Sequence, residues 1–232
     1  MKDERYLQFQ ETLEKIAAGL TLVNGYDRLI SIIEGVASWD EYMEIRAQIN
    51  TTQWFKEKGL IKEIEPKLPH REGYSDILLS FSEQDIYCEV TSPESLQKSM
   101  ESNKYNEEKK VHNLLKKQPW MSKQDAEHEI EINRITRKLL GKTNKQLPLN
   151  YPGILALETG KSMVFSFDVK RIAKKLFPIR PQVTLIMLWS LERGSSIGEA
   201  PFWFVNPNSA YQNIGKELLK FSEQDNKIFD YS

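Results

Sequence analysis

At 232 residues, with 40% hydrophobic and 28% charged side chains, the chain can bury a sizeable core and has a globular composition, neither disordered nor fibrous. The formal net charge of −1 excludes a global basic field, which argues against a coat or packaging role on nucleic acid but leaves room for a local basic groove. A lone cysteine, Cys88, the absence of any apolar run near the roughly 18 to 20 residues of a membrane span, and an acid-bearing start (Met1-Lys-Asp-Glu-Arg) lead us to expect a cytoplasmic chain with no membrane association.

The first third reads as helical. Tyr6, Phe9, Leu13, Ile16 and Leu20 recur at steps of three and four, and a short helix follows Asn24-Gly25 through Leu29, Ile30, Ile33 and Val36. Ser38-Trp39-Asp40-Glu41 has the spacing of a capping box. The helix it opens should bury Tyr42, Ile45, Ile49, Thr52 and Phe55, and Gly59 stands where a C-terminal cap belongs. Beyond Gly59 the period shortens. A strand is expected within Leu60–Leu68, then a turn at Pro69 and Gly73. Strands Asp76–Phe81 and Asp85–Thr91 follow, joined by a hairpin turn at Ser82-Glu83-Gln84. From Glu94 to Gln146 the sequence is polar and helix-forming, broken at Pro119, with Ser122 able to cap the second half and Ile132, Ile135 and Leu139 on its buried face. Expected next are strand Gly153–Leu157, helix Asp168–Leu176, strand Val183–Trp189, its partner Phe202–Val205 and a last helix over Ala210–Phe221. The expected organisation is an N-terminal helical extension over 1–37 and one α/β domain over 38–232.

The middle hairpin carries the chemistry. Alternation puts Tyr87, Glu89 and Thr91 on one face of their strand and Ile86, Cys88 and Val90 on the other. With the turn near Ser82–Gln84, Asp76 lies opposite the stretch from Glu89 to Thr91. Opposed or diagonal residues of such a pair hold their Cβ atoms roughly 4.5 to 8 Å apart. Two carboxylates at that spacing repel unless a cation lies between them, and Mg²⁺ is commonly held by one or two carboxylates with water and phosphate.

Tyr74-Ser75-Asp76-Ile77-Leu78 and Tyr87-Cys88-Glu89-Val90-Thr91, set in a helix, three antiparallel strands, a helix and a further strand, resemble the PD-(D/E)xK superfamily. The likeness covers roughly residues 38 to 160 and includes Gln146-Leu147-Pro148 before the strand at Gly153. It implies a restriction-endonuclease-like α/β core, a central mixed sheet flanked by helices, carrying a metal-dependent nuclease activity on DNA or RNA. Asp76 and Glu89, with the Val90 carbonyl, would hold Mg²⁺ or Mn²⁺, and Thr91 and Gln146 stand at the remaining motif positions. A homodimer is compatible with this reading.

The chain departs from the pattern at two positions. Ser75 stands where the family has proline, and Thr91 where it has the lysine that orients water and balances charge. Lys142 or Lys145, from the later helix, could supply the missing cation. The family often adds an acid from the helix before the first strand, where Asn50 and Gln53 are found, with Glu65 a substitute on the strand itself. The Thr91 departure supports the alternative, a catalytically inactive nuclease-fold module that binds nucleic acid or a protein partner.

Other features have plainer readings. Arg134, Arg137, Lys138, Lys142 and Lys145 follow Glu127, Glu129 and Glu131 along one helix, a polarity that suits the helix dipole without a ligand. Lys170, Arg171, Lys174 and Lys175 read as surface. His70, His112 and His128 lack zinc-ligand spacing with Cys88, and Ser195-Ser196 lacks the context of a nucleophile. Trp189, Trp203 and Phe204 are expected in the core.

Overall fold

The computed structural model describes residues 4–70, 72–92, 108–158, 166–189 and 201–222. Helix α1 covers Glu4–Ala17 and runs into a single 3-10 turn, Ala18–Leu20; α2 covers Tyr26–Glu34 and α3 covers Trp39–Glu57. Three strands follow, β1 (Ile61–Ile64), β2 (Ile77–Phe81) and β3 (Gln84–Thr91). Helical residues 108–117 form α4, and α5 spans Lys123–Gln146. The chain continues through β4 (Gly153–Glu158), α6 (Ser166–Leu176), β5 (Val183–Trp189), β6 (Phe202–Val205) and α7 (Gln212–Ser222). The part of the expected polar helical stretch that falls on 93–107 lies outside the described residues, as does Ser195-Ser196. No described helix is long and apolar enough to cross a membrane.

The six strands form one mixed sheet in the order β1-β2-β3-β4-β5-β6. The first three make an antiparallel meander, β4 lies parallel to β3, β5 lies parallel to β4, and β6 returns antiparallel. The parallel pairing of β3 with β4 requires a crossover, which α5 supplies. The expected first strand is shortened to Ile61–Ile64 because Glu65 adopts a left-handed backbone, φ 51°, and turns the chain away. The β2–β3 turn is one residue tighter than expected. Phe81 pairs with Gln84, leaving Ser82 and Glu83 at φ 49° and 62°, the handedness that matches a two-residue turn to the twist of its strands.

Alternation along the strands separates two cores. On one face Leu78, Tyr87, Leu155 and Ile186 meet Ile132, Ile135 and Leu139 of α5 and Ile172 and Leu176 of α6. On the other, Ile77, Cys88, Val90, Ala156 and Trp203 meet Trp54 and Phe55 of α3 and Leu218 of α7. Trp203 and Phe204 are buried as expected, one on each face, while Trp189 at the strand end is half-buried. Helix starts match their caps: the Ser38 hydroxyl accepts from Glu41 N–H at 3.2 Å, and Ser122 accepts from Asp125 N–H at 3.0 Å.

The N-terminal helices share a third core with α3 and the sheet edge. Leu13, Leu20, Leu29 and Ile33 pack against Tyr42, Ile45, Ile49 and Ile64. Backbone contacts join them too: Ile64 N–H donates to the Asn24 carbonyl at 2.8 Å, and Arg28 donates to the Ile64 carbonyl at 3.0 Å. Gly25 permits this approach. Its φ is +88°, and a Cβ there would lie 1.9 Å from the Ile64 carbonyl oxygen.

Candidate active site

The hairpin register, with Ile77 opposite Cys88, sets Asp76 across from Glu89 at the mouth of the β2–β3 pair. Both point to the α5 side, the face of Leu78 and Tyr87. The Asp76 backbone is clamped on both sides. Its carbonyl accepts from Glu65 N–H at 2.9 Å and from Gln48 Nε2 at 3.4 Å. The preceding Ser75, fully buried where proline was the family expectation, donates its hydroxyl to the Cys88 carbonyl at 3.1 Å and its N–H to Pro66 at 3.1 Å. The Asp76 carboxylate then reaches across, Oδ2 accepting from Val90 N–H at 2.6 Å.

Glu89 is completely buried, and among the described residues neither of its carboxylate oxygens has a hydrogen-bond partner of good geometry. Among the described residues two charged groups stand beside it, the Asp76 carboxyl across the hairpin and the Lys142 ammonium. Lys142 Nζ lies 3.2 Å from Glu89 Oε1, at ion-pair distance but out of line for a hydrogen bond. The same ammonium donates to the Val90 carbonyl at 3.4 Å and to Glu44 Oε1 at 2.6 Å. Lys142 thus reaches from α5 over the end of the sheet to α3, touching both acid-bearing layers.

Beside these groups opens a cleft of about 300 Å³, lined by Glu41, Glu44, Gln48, Glu65, Asp76, Val90 and Lys142, with Ile32 and Ile45 as its apolar wall; Glu89 lies buried behind this lining. Crowded carboxylates in a confined space resist ionisation. Burial, then opposing effects of Lys142 and the Val90 N–H, leave Asp76 with its pKa raised to about 6. Burial and the neighbouring Asp76 raise Glu65 to about 7, although Gln48 donates to it at 2.6 Å. Burial and Asp76 also push Glu89 well above the usual carboxylate range. Burial works against the Lys142 ammonium, but Glu89, Asp76 and Glu44 outweigh it and hold its pKa above that of an ordinary lysine.

No family model matches the chain, and no curated protein or solved structure matches it significantly. The site therefore rests on its own geometry.

Of the residues singled out in the sequence, Asp76, Glu89, the Val90 carbonyl and Lys142 come together. Thr91 sits on the Glu89 face but is fully buried, its hydroxyl without a hydrogen-bond partner among the described residues and outside the cleft lining. Gln146 ends α5 one turn beyond Lys142 and is half-buried, again outside the cleft lining. Lys145 is exposed, offset by about 60° around α5 from Lys142 towards solvent. Gln53 is spent on the N-terminal helices, donating to the Ile16 carbonyl, and neither it nor Asn50 lines the cleft. The helix acids that do are Glu41, held as the capping-box acid by Ala37 N–H at 2.8 Å, and Glu44, whose place in the site sequence reasoning missed. Its signal was the polar stripe Glu41–Glu44–Gln48, at helical spacing beside the buried Ile45.

A hard divalent cation prefers oxygen ligands, and two carboxylates with a backbone carbonyl form such a set. The Glu89 oxygens, fully buried and without a hydrogen bond of good geometry among the described residues, fit that requirement. Among the described residues no three His, Cys, Asp or Glu side chains are grouped as a ready ligand set.

Proposed function

We propose that the chain is a divalent-metal-dependent nuclease of the PD-(D/E)xK type, hydrolysing phosphodiester bonds in DNA or RNA. The observation that carries this reading is the convergence of Asp76, Glu89, the Val90 carbonyl and Lys142 at one end of the β2–β3 hairpin. The element order α3-β1-β2-β3-α4-α5-β4 supports a restriction-endonuclease-like core around them. Asp76, Glu89 and the Val90 carbonyl would hold Mg²⁺ or Mn²⁺. When bound, that ion supplies Lewis acidity at the phosphate and a more acidic water. Lys142 takes the part of the lysine absent at position 91, balancing charge and orienting the nucleophile through its ammonium. Glu65, titrating near neutrality on the cleft wall, is suited to exchanging a proton with water or a leaving group.

A second reading is favoured by the acidity of the cleft, whose lining carries Glu41, Glu44, Glu65 and Asp76 against one lysine. Such a surface repels a phosphate backbone unless cations intervene, and suits a module that keeps the fold without the reaction. Cleavage of single-stranded DNA, double-stranded DNA and RNA, with Mg²⁺, Mn²⁺ or EDTA, separates the two. The nuclease reading expects metal-dependent cleavage that falls by about 10² or more in Glu89→Gln. Cleavage unaffected by Glu89→Gln or by EDTA, or no cleavage above background, leaves the binding module as the better account.

A further inference from the structure

We propose that Lys142 is a displaceable internal cation. Its ammonium stands among the groups that would hold a divalent ion, and binding of that ion would send Lys142 towards Glu44. This rests on the metal reading given above and adds a step to it. Three observations point there. First, Lys142 Nζ lies 3.2 Å from Glu89 Oε1 and 3.4 Å from the Val90 carbonyl, so it engages two of the three groups assigned to the metal. Second, its contact with Glu89 is a poor one: the carboxyl is fully buried beside Asp76, yet among the described residues neither of its oxygens has a hydrogen-bond partner of good geometry. Ammonium groups and hard divalent ions both seek such oxygens, and a metal ion satisfies them at shorter range.

Third, the ammonium has somewhere to go. Its best hydrogen bond already runs to Glu44 Oε1 at 2.6 Å, and the Glu44 side chain is 40% exposed on the cleft wall, whereas Glu89 is 0% exposed. A small rotation of the lysine stem towards Glu44 frees Glu89 and Val90 without stranding the charge. Glu44 acts in this scheme as a positioning residue, receiving Lys142 rather than touching the ion. An ammonium and a divalent cation repel each other when they share oxygens, and that repulsion drives the exchange.

The primary test uses the unmodified chain with Mn²⁺ as the probe. Amine acylation at Lys142, mapped by peptide mass spectrometry, should accelerate severalfold when Mn²⁺ binds, because the ammonium leaves a buried carboxylate for a half-exposed one. Mn²⁺ binding itself is followed by electron paramagnetic resonance, with Asp76→Asn as the control that should lose the site. Lys142→Met should bind Mn²⁺ about tenfold more tightly than the wild type. If Lys142→Met does not fold, the labelling of the wild type decides. Mn²⁺ binding that requires Asp76 while Lys142 labelling is unchanged or slowed overturns the exchange and leaves the metal site standing. Absence of Mn²⁺ binding from both the wild type and folded Lys142→Met overturns the metal site together with the exchange.

Discussion

Replacing Asp76 by Asn removes one ionisable group from the crowded cleft while keeping an oxygen able to accept from Val90 N–H. The Asp76 pKa stands at about 6 instead of 3.8, chiefly through burial. The folded protein therefore holds this proton more tightly than the unfolded chain. Its contribution to stability is complete below 3.8 and is lost as pH rises through about 6. Linkage over the window from about pH 4.5 to 8 converts this to roughly 2 kcal/mol. The carboxyl keeps one side open to the cleft, so solvent screening reduces the expected change to about 1 to 2 kcal/mol. Urea unfolding in EDTA at a series of pH values, wild type against Asp76→Asn, measures it. The wild type should lose that much stability relative to the variant as pH rises. Glu65, raised to about 7 partly by Asp76, should shift back towards ordinary values in the variant and add to the same trend. Mn²⁺ should cancel the loss at pH 8 in the wild type only, since a ligand that favours the native state stabilises it. A wild type that keeps pace with the variant, or gains stability on it, as pH rises would refute the electrostatic reasoning.

Three further outcomes are expected. In cleavage assays Lys142→Ala should lose about 10² or more in rate, and the double variant Lys142→Ala, Thr91→Lys should recover part of it by returning the cation to the strand; a double variant no better than Lys142→Ala would mean that position 91 cannot address the cleft. Gly25→Ala should destabilise the protein by about 1 to 3 kcal/mol or more, from its positive φ and the collision with the Ile64 carbonyl, measured as a fall in urea midpoint; a change within a few tenths would contradict the close packing of α2 on β1. Ser122→Ala should cost about 1 kcal/mol by leaving the Asp125 N–H uncapped, with Thr or Asp at 122 restoring it.

Periodicity alone located most elements. The capping residues Ser38 and Ser122, the buried stripe from Tyr42 to Phe55 and the alternation through β2 and β3 are local signals, and local backbone geometry answers to them. The opposition of Asp76 and Glu89 was legible for the same reason: a short turn leaves a hairpin little choice of register. Where a residue's position depends on a backbone exception, sequence misled. The left-handed Glu65 ended β1 four residues before the run of strand-like residues did, and swung its own carboxyl into the cleft.

What the tertiary structure alone decided was which distant residues share the cleft. Lys142 and Lys145 are equivalent in composition and nearly so in sequence, yet the rotation of α5 on the sheet sends one to Glu89 and the other to solvent. Glu44 and Gln53 both sit on α3, but the N-terminal helices take up Gln53, while Glu44 faces a lysine 98 residues away. Helical spacing says which residues lie on one stripe, not what the stripe will meet. That is set by how α3 and α5 pack on opposite faces of the sheet, a long-range outcome of burying Phe55, Ile135 and Leu139, to which the charged residues themselves contribute little.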